Sequence, residues 1–294
     1  MARDPFGTKR TAVLDPAMVT REVRRFLDED IGSGDVSTAR SVPTGAKATG
    51  RIVAREACVV AGIKIARAVF VALDARVSVT PVVADGQAVT AGAVLATLEG
   101  PAAPILTGER VALNLLQRLS AIATITRRYV DAIAGTGASV SDTRKTTPGL
   151  RAFEKYAVQA GGGRNHRIGL FDAILIKDNH IAVAGGVAQA LRAAKAAVGH
   201  LVKVEIEVDT LAQLDEVLAE GADVVLLDNM GPDLLRQAVA KIAGRMRTEA
   251  SGGINLDTVQ AIAKTGVDMI SVGALTHSAS VLDLGLDIMI ETRG

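Results

Sequence analysis

The chain changes its hydrophobic rhythm along its length. Residues 15–29 place Met18, Val19, Val23, Phe26 and Leu27 at helical spacing, with charges on the opposite face. The Gly-rich turn IGSGDVST at 31–38 ends that helix. From Ala46 to Ile105 the pattern becomes one of short strands. Alternation is clear in Ala48–Arg55 and Val77–Val83, turns fall at Asp85-Gly86 and Ala91-Gly92, and Ile63–Leu73 reads as a helix. This stretch predicts a small α/β domain. Val111–Ile133 is then a long helical run, with Leu115, Leu116, Leu119, Ile122 and Ile125 at steps of three and four.

The remainder repeats an architecture, not a sequence. Short apolar runs each end in polar or Gly residues: ASVSDTRK (138–145), AILIKDN (173–179), VKVEIEVD (202–209), DVVLLDN (223–229), RTEASGG (247–253) and MISVGA (269–274). Helical patterns lie between several of them, at Val187–Val198, Leu211–Ala219, Pro232–Ile242 and Leu256–Lys264. Strands alternating with helices predict parallel βα units. Strands apolar on both faces suit a buried parallel sheet. Asp142, Arg144, Lys145, Lys177, Asp178, Glu207, Asp209, Asp228 and Ser251 all fall at or just beyond C-terminal strand ends. A barrel gathers those ends at one mouth, whereas an open sheet uses one crevice. The fold expected is therefore α/β with an incomplete barrel of six or seven strands, because about 160 residues fall short of the roughly 250 of a full eightfold barrel.

Composition narrows the partners. The chain has 294 residues with 33 basic and 32 acidic side chains, a net charge of +1, which argues against a nucleic-acid backbone as partner. Aromatics are 2% and Trp is absent, so stacking platforms for single strands are scarce. The single cysteine, Cys58, excludes an internal disulfide and a Cys-rich zinc site and suits a reducing compartment. It sits in an apolar run and reads as inert packing. Asp4 and Pro5 interrupt the N-terminus, no apolar leader follows, and no window of about 18 apolar residues exists. A cytoplasmic protein without membrane contact is expected.

The densest chemistry is SDTRKTTPG at 141–149, where Arg144 can grip a carboxylate or phosphate bidentately and Lys145 adds a point charge. Gly161-Gly162-Gly163 permits close backbone approach to a ligand or makes a flexible turn. His166 and Arg167 add donors for an anion. Lys177 reads as an anion clamp or a Schiff-base lysine. Glu207 and Asp228 suit sugar hydroxyls, a divalent cation or the lysines themselves. Ser251-Gly252-Gly253 and Gly273 sit where the last strands of barrels commonly cradle a phosphate. The cations exceed one phosphate's needs, which implies a second polyanionic ligand; a metal-bridged pyrophosphate and a small carboxylic acid would fit. No G-x-G-x-x-G, P-loop or H-E-x-x-H motif is present. His180, His200 and His277 read as surface or structural. Ala84–Gly100 is similar to the turn-rich half of biotinyl and lipoyl carrier domains, without a lysine at a hairpin tip.

SDTRKTTPGLRAFEKYAVQAGGGRNHR followed by ILIKDNH strongly resembles the quinolinate phosphoribosyltransferase family. DEDIGSGDVST, GERVALNLLQRLS, VEIEV, LLDN, ASGGI and ISVGALT extend the resemblance in order over nearly the whole chain. It implies an N-terminal α/β sandwich over 1–112, an α/β barrel over 113–275, and a tail, 276–294, that returns to the first domain. It implies transfer of phosphoribose from phosphoribosyl pyrophosphate to quinolinate with loss of CO2, a Mg2+ requirement, and a homodimer whose active site is shared. By the same resemblance Arg144, His166 and Arg167 hold the quinolinate carboxylates. Lys145 and Lys177 serve the substrate and pyrophosphate side. Arg110 comes across the dimer interface. Glu207 and Asp228 hold ribose hydroxyls and metal, and Ser251, Gly252, Gly253 and Gly273 cradle the 5′-phosphate. Lys145, Glu207 and Asp228 are the catalytic candidates. The alternative is a paralogue acting on another carboxylated ring or linked to molybdate uptake.

Overall fold

The computed structural model describes residues 14–289. The readings made on Asp4 and Pro5 and on the last five residues of the tail lie outside the described residues. The chain forms two compact units. One takes the chain up to Ile125, Ala152–Gly162 and the chain from Ala279 on; the other takes Thr126–Arg151 and Gly163–Ser278. The expected boundary at 112/113 falls inside one long helix.

The first unit begins with α1 (Pro16–Ile31), whose start is fixed by Asp15, accepting from the Ala17 N–H at 3.0 Å, and by Pro16 in the first turn. Then come α2 (Val36–Ser41), β1 (Lys47–Ala54), β2 (Cys58–Val59), α3 (Ile63–Leu73), β3 (Ser78–Pro81), β4 (Ala88–Val89), β5 (Val94–Pro101) and α4 (Ala102–Ala132), and, after a break, α5 (Arg151–Ala160). The last strand, which in chain order is β12 (Leu284–Met289), pairs antiparallel with β1, from Thr49 opposite Met289 to Ala54 opposite Leu284. The sheet runs β12-β1-β5-β3 and β2 pairs with β4. Ile65, Ala66, Val69 and Phe70 of α3 and Ile52, Leu95 and Leu98 of the sheet are fully buried core. Cys58 is buried, and burial pushes its thiol up, which suits inert packing.

In the second unit every predicted strand is present: β6 (Ser139–Ser141), β7 (Ile174–Ile176), β8 (Val204–Val208), β9 (Val224–Asp228), β10 (Arg247–Ser251) and β11 (Met269–Ser271). Between β7 and β11 lie α6 (Asp178–Ala184), α7 (Val187–Ala197), α8 (Leu211–Glu220), α9 (Pro232–Ile242) and α10 (Val259–Ala263), and α11 (Ala274–His277) follows β11. All pairings are parallel and the order is β6-β11-β10-β9-β8-β7. That is chain order read around a ring, opened between β6 and β7. One parallel bridge, Ser141 to Arg164, spans part of the gap. The unit is thus a six-stranded, barrel-like α/β sheet. Val204, Ile206 and Val208 form one buried face of β8, and the alternation puts Glu205 and Glu207 on the other. Among the described residues no helix is long and apolar enough to cross a membrane.

Candidate active site

The C-terminal strand ends of the second unit line a cavity of about 860 Å³. Arg144, Lys145, His166, Arg167, Lys177, Glu207, Asp228, Ser251, Gly252, Gly253 and Gly273 all border it. Among the candidates, Arg110 does not: it is exposed on α4 in the first unit. Gly161 and Gly162 do not line the cavity either; they close α5, their N–H groups donating to Ala157 and Gln159 carbonyls. His180 accepts the Lys177 N–H at 2.9 Å through Nδ1 and so caps α6. His200 is exposed. His277, read as surface or structural, is exposed and borders the cavity.

The cationic side is built on two segments. Arg144 and Lys145 follow β6 on an exposed loop held by Arg151, whose guanidinium donates to Thr146 Oγ1 at 2.9 Å. Arg167 donates to the Ala173 carbonyl at 3.0 Å. Burial, and then the neighbouring Arg144, disfavour the Arg167 charge, and Glu205 and Asp172 offset part of this. Two guanidiniums that repel each other are a ready site for an anion. On the far side the Lys177 ammonium pairs with Glu207 Oε2 at 2.7 Å, and Asp228 Oδ2 accepts from the Asn229 amide at 2.5 Å.

The glycines are where backbone approach is required. Gly252 has φ +95°, and a Cβ there would lie 2.2 Å from Asn229 Oδ1 and 2.8 Å from its backbone nitrogen. The ends of β9 and β10 therefore touch without a side chain between them. A Cβ on Gly273 would meet the Lys145 side chain at 2.9 Å, so this glycine leaves room for the lysine stem.

Beneath the cations His166 meets two acids, Glu205 and Glu249, that are absent from the candidates named in the sequence. His166, Glu205 and Glu249 bring potential ligand atoms within 4.8 Å of one another. His166 Nε2 is 2.9 Å from Glu205 Oε2 and 3.6 Å from Glu249 Oε1. Oε1 of Glu205 and Oε1 of Glu249 are buried without a hydrogen-bond partner. Burial and the Glu205 charge push Glu249 up to about 7. Near neutral pH Glu249 is therefore protonated in part. Period-two alternation could have found both residues: each lies two positions before a predicted mouth residue, Glu207 or Ser251, on the same strand face.

A parallel barrel mouth that sets cations against acids and Gly-rich strand ends defines an enzyme handling polyanionic substrates. The particular family follows from comparison with known proteins. Models of the N-terminal and C-terminal domains of quinolinate phosphoribosyl transferase match residues 35–120 and 122–287. A probable nicotinate-nucleotide pyrophosphorylase [carboxylating] of Bacillus subtilis is 47% identical over 271 residues, covering 92% of this chain and 93% of the relative. The nicotinate-nucleotide pyrophosphorylase [carboxylating] of Mycobacterium leprae is also 47% identical, covering 90% and 95%. The crystal structure of NadC from Streptococcus pyogenes superposes with a TM-score of 0.92 at 41% identity, over 96% of this chain and 100% of that one. The chain belongs to the quinolinate phosphoribosyltransferase family.

Proposed function

We propose that this enzyme transfers phosphoribose from phosphoribosyl pyrophosphate to quinolinate, releasing nicotinate mononucleotide, pyrophosphate and CO2 in NAD biosynthesis. The observation that carries the reading is the convergence of Arg144, Arg167, Lys145, Lys177, Glu207 and Asp228 on one cavity, in a chain 47% identical to named pyrophosphorylases. Quinolinate is a dicarboxylate, and the Arg144–Arg167 pair meets its charge. Breaking the C1–pyrophosphate bond develops positive charge on the ribose and negative charge on the leaving group. Glu207 and Asp228 answer the first and Lys145 and Lys177 the second. The quinolinate ring nitrogen forms the new bond to C1. When the adjacent carboxylate departs as CO2, the electron pair of the broken bond stays on that ring carbon, stabilised by the neighbouring positive nitrogen, and a proton then takes up the pair. No side-chain nucleophile is needed.

Ser251, Gly252, Gly253 and Gly273 take the 5′-phosphate in this reading, through a hydroxyl and unobstructed backbone. The donor set at Glu207 and Asp228 is hard carboxylate oxygen at adjacent strand ends, which fits Mg2+. When bound there, Mg2+ supplies charge neutralisation for the pyrophosphate. The enzyme acts as a homodimer in which Arg110 completes the partner's site, a role that its exposure on α4 permits. It works in the cytoplasm, where a lone buried thiol is at home.

The test is one incubation of purified protein with quinolinate, phosphoribosyl pyrophosphate and Mg2+, following CO2 and nicotinate mononucleotide together. Both products, each dependent on both substrates and lost on chelation, are expected. Neither product from folded protein overturns the substrate assignment and turns the search to other carboxylated rings.

A further inference from the structure

We propose that Glu205, seconded by Glu249, is a positioning residue that locks His166 as its neutral Nε2–H tautomer, so that the ring braces the backbone carrying Arg167 instead of binding substrate itself. The kinetic consequence rests on the quinolinate reading; the structural core does not.

The tautomer follows from the donors. The Arg167 backbone N–H points at His166 Nδ1 from 2.8 Å. A backbone amide can only donate, so Nδ1 is an acceptor and carries no proton. The ring proton of neutral His166 then sits on Nε2. There it meets Glu205 Oε2 at 2.9 Å, with Glu249 Oε1 behind it at 3.6 Å. A third tie holds the same residue: its backbone N–H donates to Asp142 Oδ1 at 2.9 Å, and Asp142 is completely buried. Ring and main chain of His166 are thereby fixed between β8 and the loop after β6, and Arg167 is the next residue along.

Two alternatives are weaker. As a metal triad, His166, Glu205 and Glu249 have suitable spacing. Ligation through Nε2 needs a bare Nε2, which moves the proton to Nδ1 and faces it against the Arg167 N–H. As a direct carboxylate ligand, His166 has no ring nitrogen to spare, because one accepts from the backbone and the other donates to Glu205. Removing the Glu205 acceptor strands a donor in a nearly buried place, which favours rotation of the ring and movement of Arg167 with it.

The experiment reads the ring directly. Nitrogen-15 spectra of histidine-labelled protein, with His166→Gln to assign the signal, report which ring nitrogen holds the proton. The expected signature is a proton on Nε2 and a bare Nδ1. Glu205→Gln keeps an acceptor oxygen and is expected to keep both the signature and the quinolinate KM within about threefold. Glu205→Met keeps the volume without the acceptor; it should lose the signature and raise the quinolinate KM roughly tenfold, with the phosphoribosyl pyrophosphate KM unchanged. A proton on Nδ1, or on both nitrogens, overturns the proposal without any variant having to fold. So does a wild-type quinolinate KM in Glu205→Met. If the unaltered protein does not turn over quinolinate, the functional reading fails, while the ring spectrum still decides the tautomer.

Discussion

Glu249→Gln tests the electrostatics of the barrel interior. Glu249 is 1% exposed, faces Glu205, His166, Ser271 and Asp142, and has one oxygen without a hydrogen-bond partner. Its pKa rises from an ordinary 4.5 to about 7 in the folded protein, first through burial and then through the Glu205 charge. Between these two values the folded state keeps the proton and the unfolded state has released it. The native state thus binds more protons, and stability falls as pH rises through that window. At about 1.36 kcal/mol per pH unit the loss amounts to roughly 3 kcal/mol once Glu249 is fully ionised. A glutamine cannot ionise, so the variant escapes the loss. Thermal midpoints of both proteins at pH 5.5 and 8.5 make the assay. About 2 kcal/mol of that loss falls between pH 5.5 and 8.5, so the wild-type midpoint should fall between the two pH values by more than that of Glu249→Gln, the difference being roughly 4–8 °C at about 2–4 °C per kcal/mol. Equal pH slopes in the two proteins would refute the reasoning, because Glu249 would then be ionised throughout or held by a partner that neutralises it.

The mouth residues give sharper functional effects. Arg144→Ala removes an exposed side chain, so the thermal midpoint should stay put while the quinolinate KM rises roughly ten- to hundredfold; an unchanged KM removes Arg144 from the site. Gly252→Ala places a Cβ 2.2 Å from Asn229 Oδ1 at φ +95°, costing on the order of 1–3 kcal/mol and disturbing the β9–β10 rim, so the phosphoribosyl pyrophosphate KM should rise more than that of quinolinate. Equal effects on the two substrates would contradict the cradle assignment. Lys177→Met breaks a pair whose lysine is 44% exposed, so denaturation should barely register it, whereas steady-state kinetics with phosphoribosyl pyrophosphate should show kcat/KM falling.

The barrel was legible because its signals are local. Most of its strands are short, largely apolar runs closed by a polar or Gly residue, and the helical spacing predicts Pro232–Ile242 with the bounds observed. Long-range and misleading cues explain the misses. The helix read from Val111 starts at Ala102, because Pro104 and Gly108 look like breakers. Pro104 lies in the first turn, where its missing N–H costs nothing. Gly108 is a packing glycine, since a Cβ there would lie 3.1 Å from the Phe70 ring. Helix α5, with Phe153, Ala157 and Val158 buried at helical spacing, was hidden inside the motif that carried the resemblance. Strand β12 pairs with a partner more than two hundred residues earlier in the chain, a contact that no local pattern encodes. Resemblance alone brought that tail back to the first domain.

For the site, residue type and place were legible and state was not. A barrel strand carries its inward residues in steps of two, so VEIEVD places one acid at the mouth and another a layer deeper. The outer acid, Glu207, meets Lys177 and the cavity. The inner one, Glu205, meets a histidine that the sequence alone presents as an anion donor. Only the geometry shows that both ring nitrogens are already engaged; in the proposed role this leaves the anion to Arg144 and Arg167, which border the cavity. The buried acids act on substrate through what they hold still. Their removal should thus appear in quinolinate affinity before it appears in the rate of bond breaking.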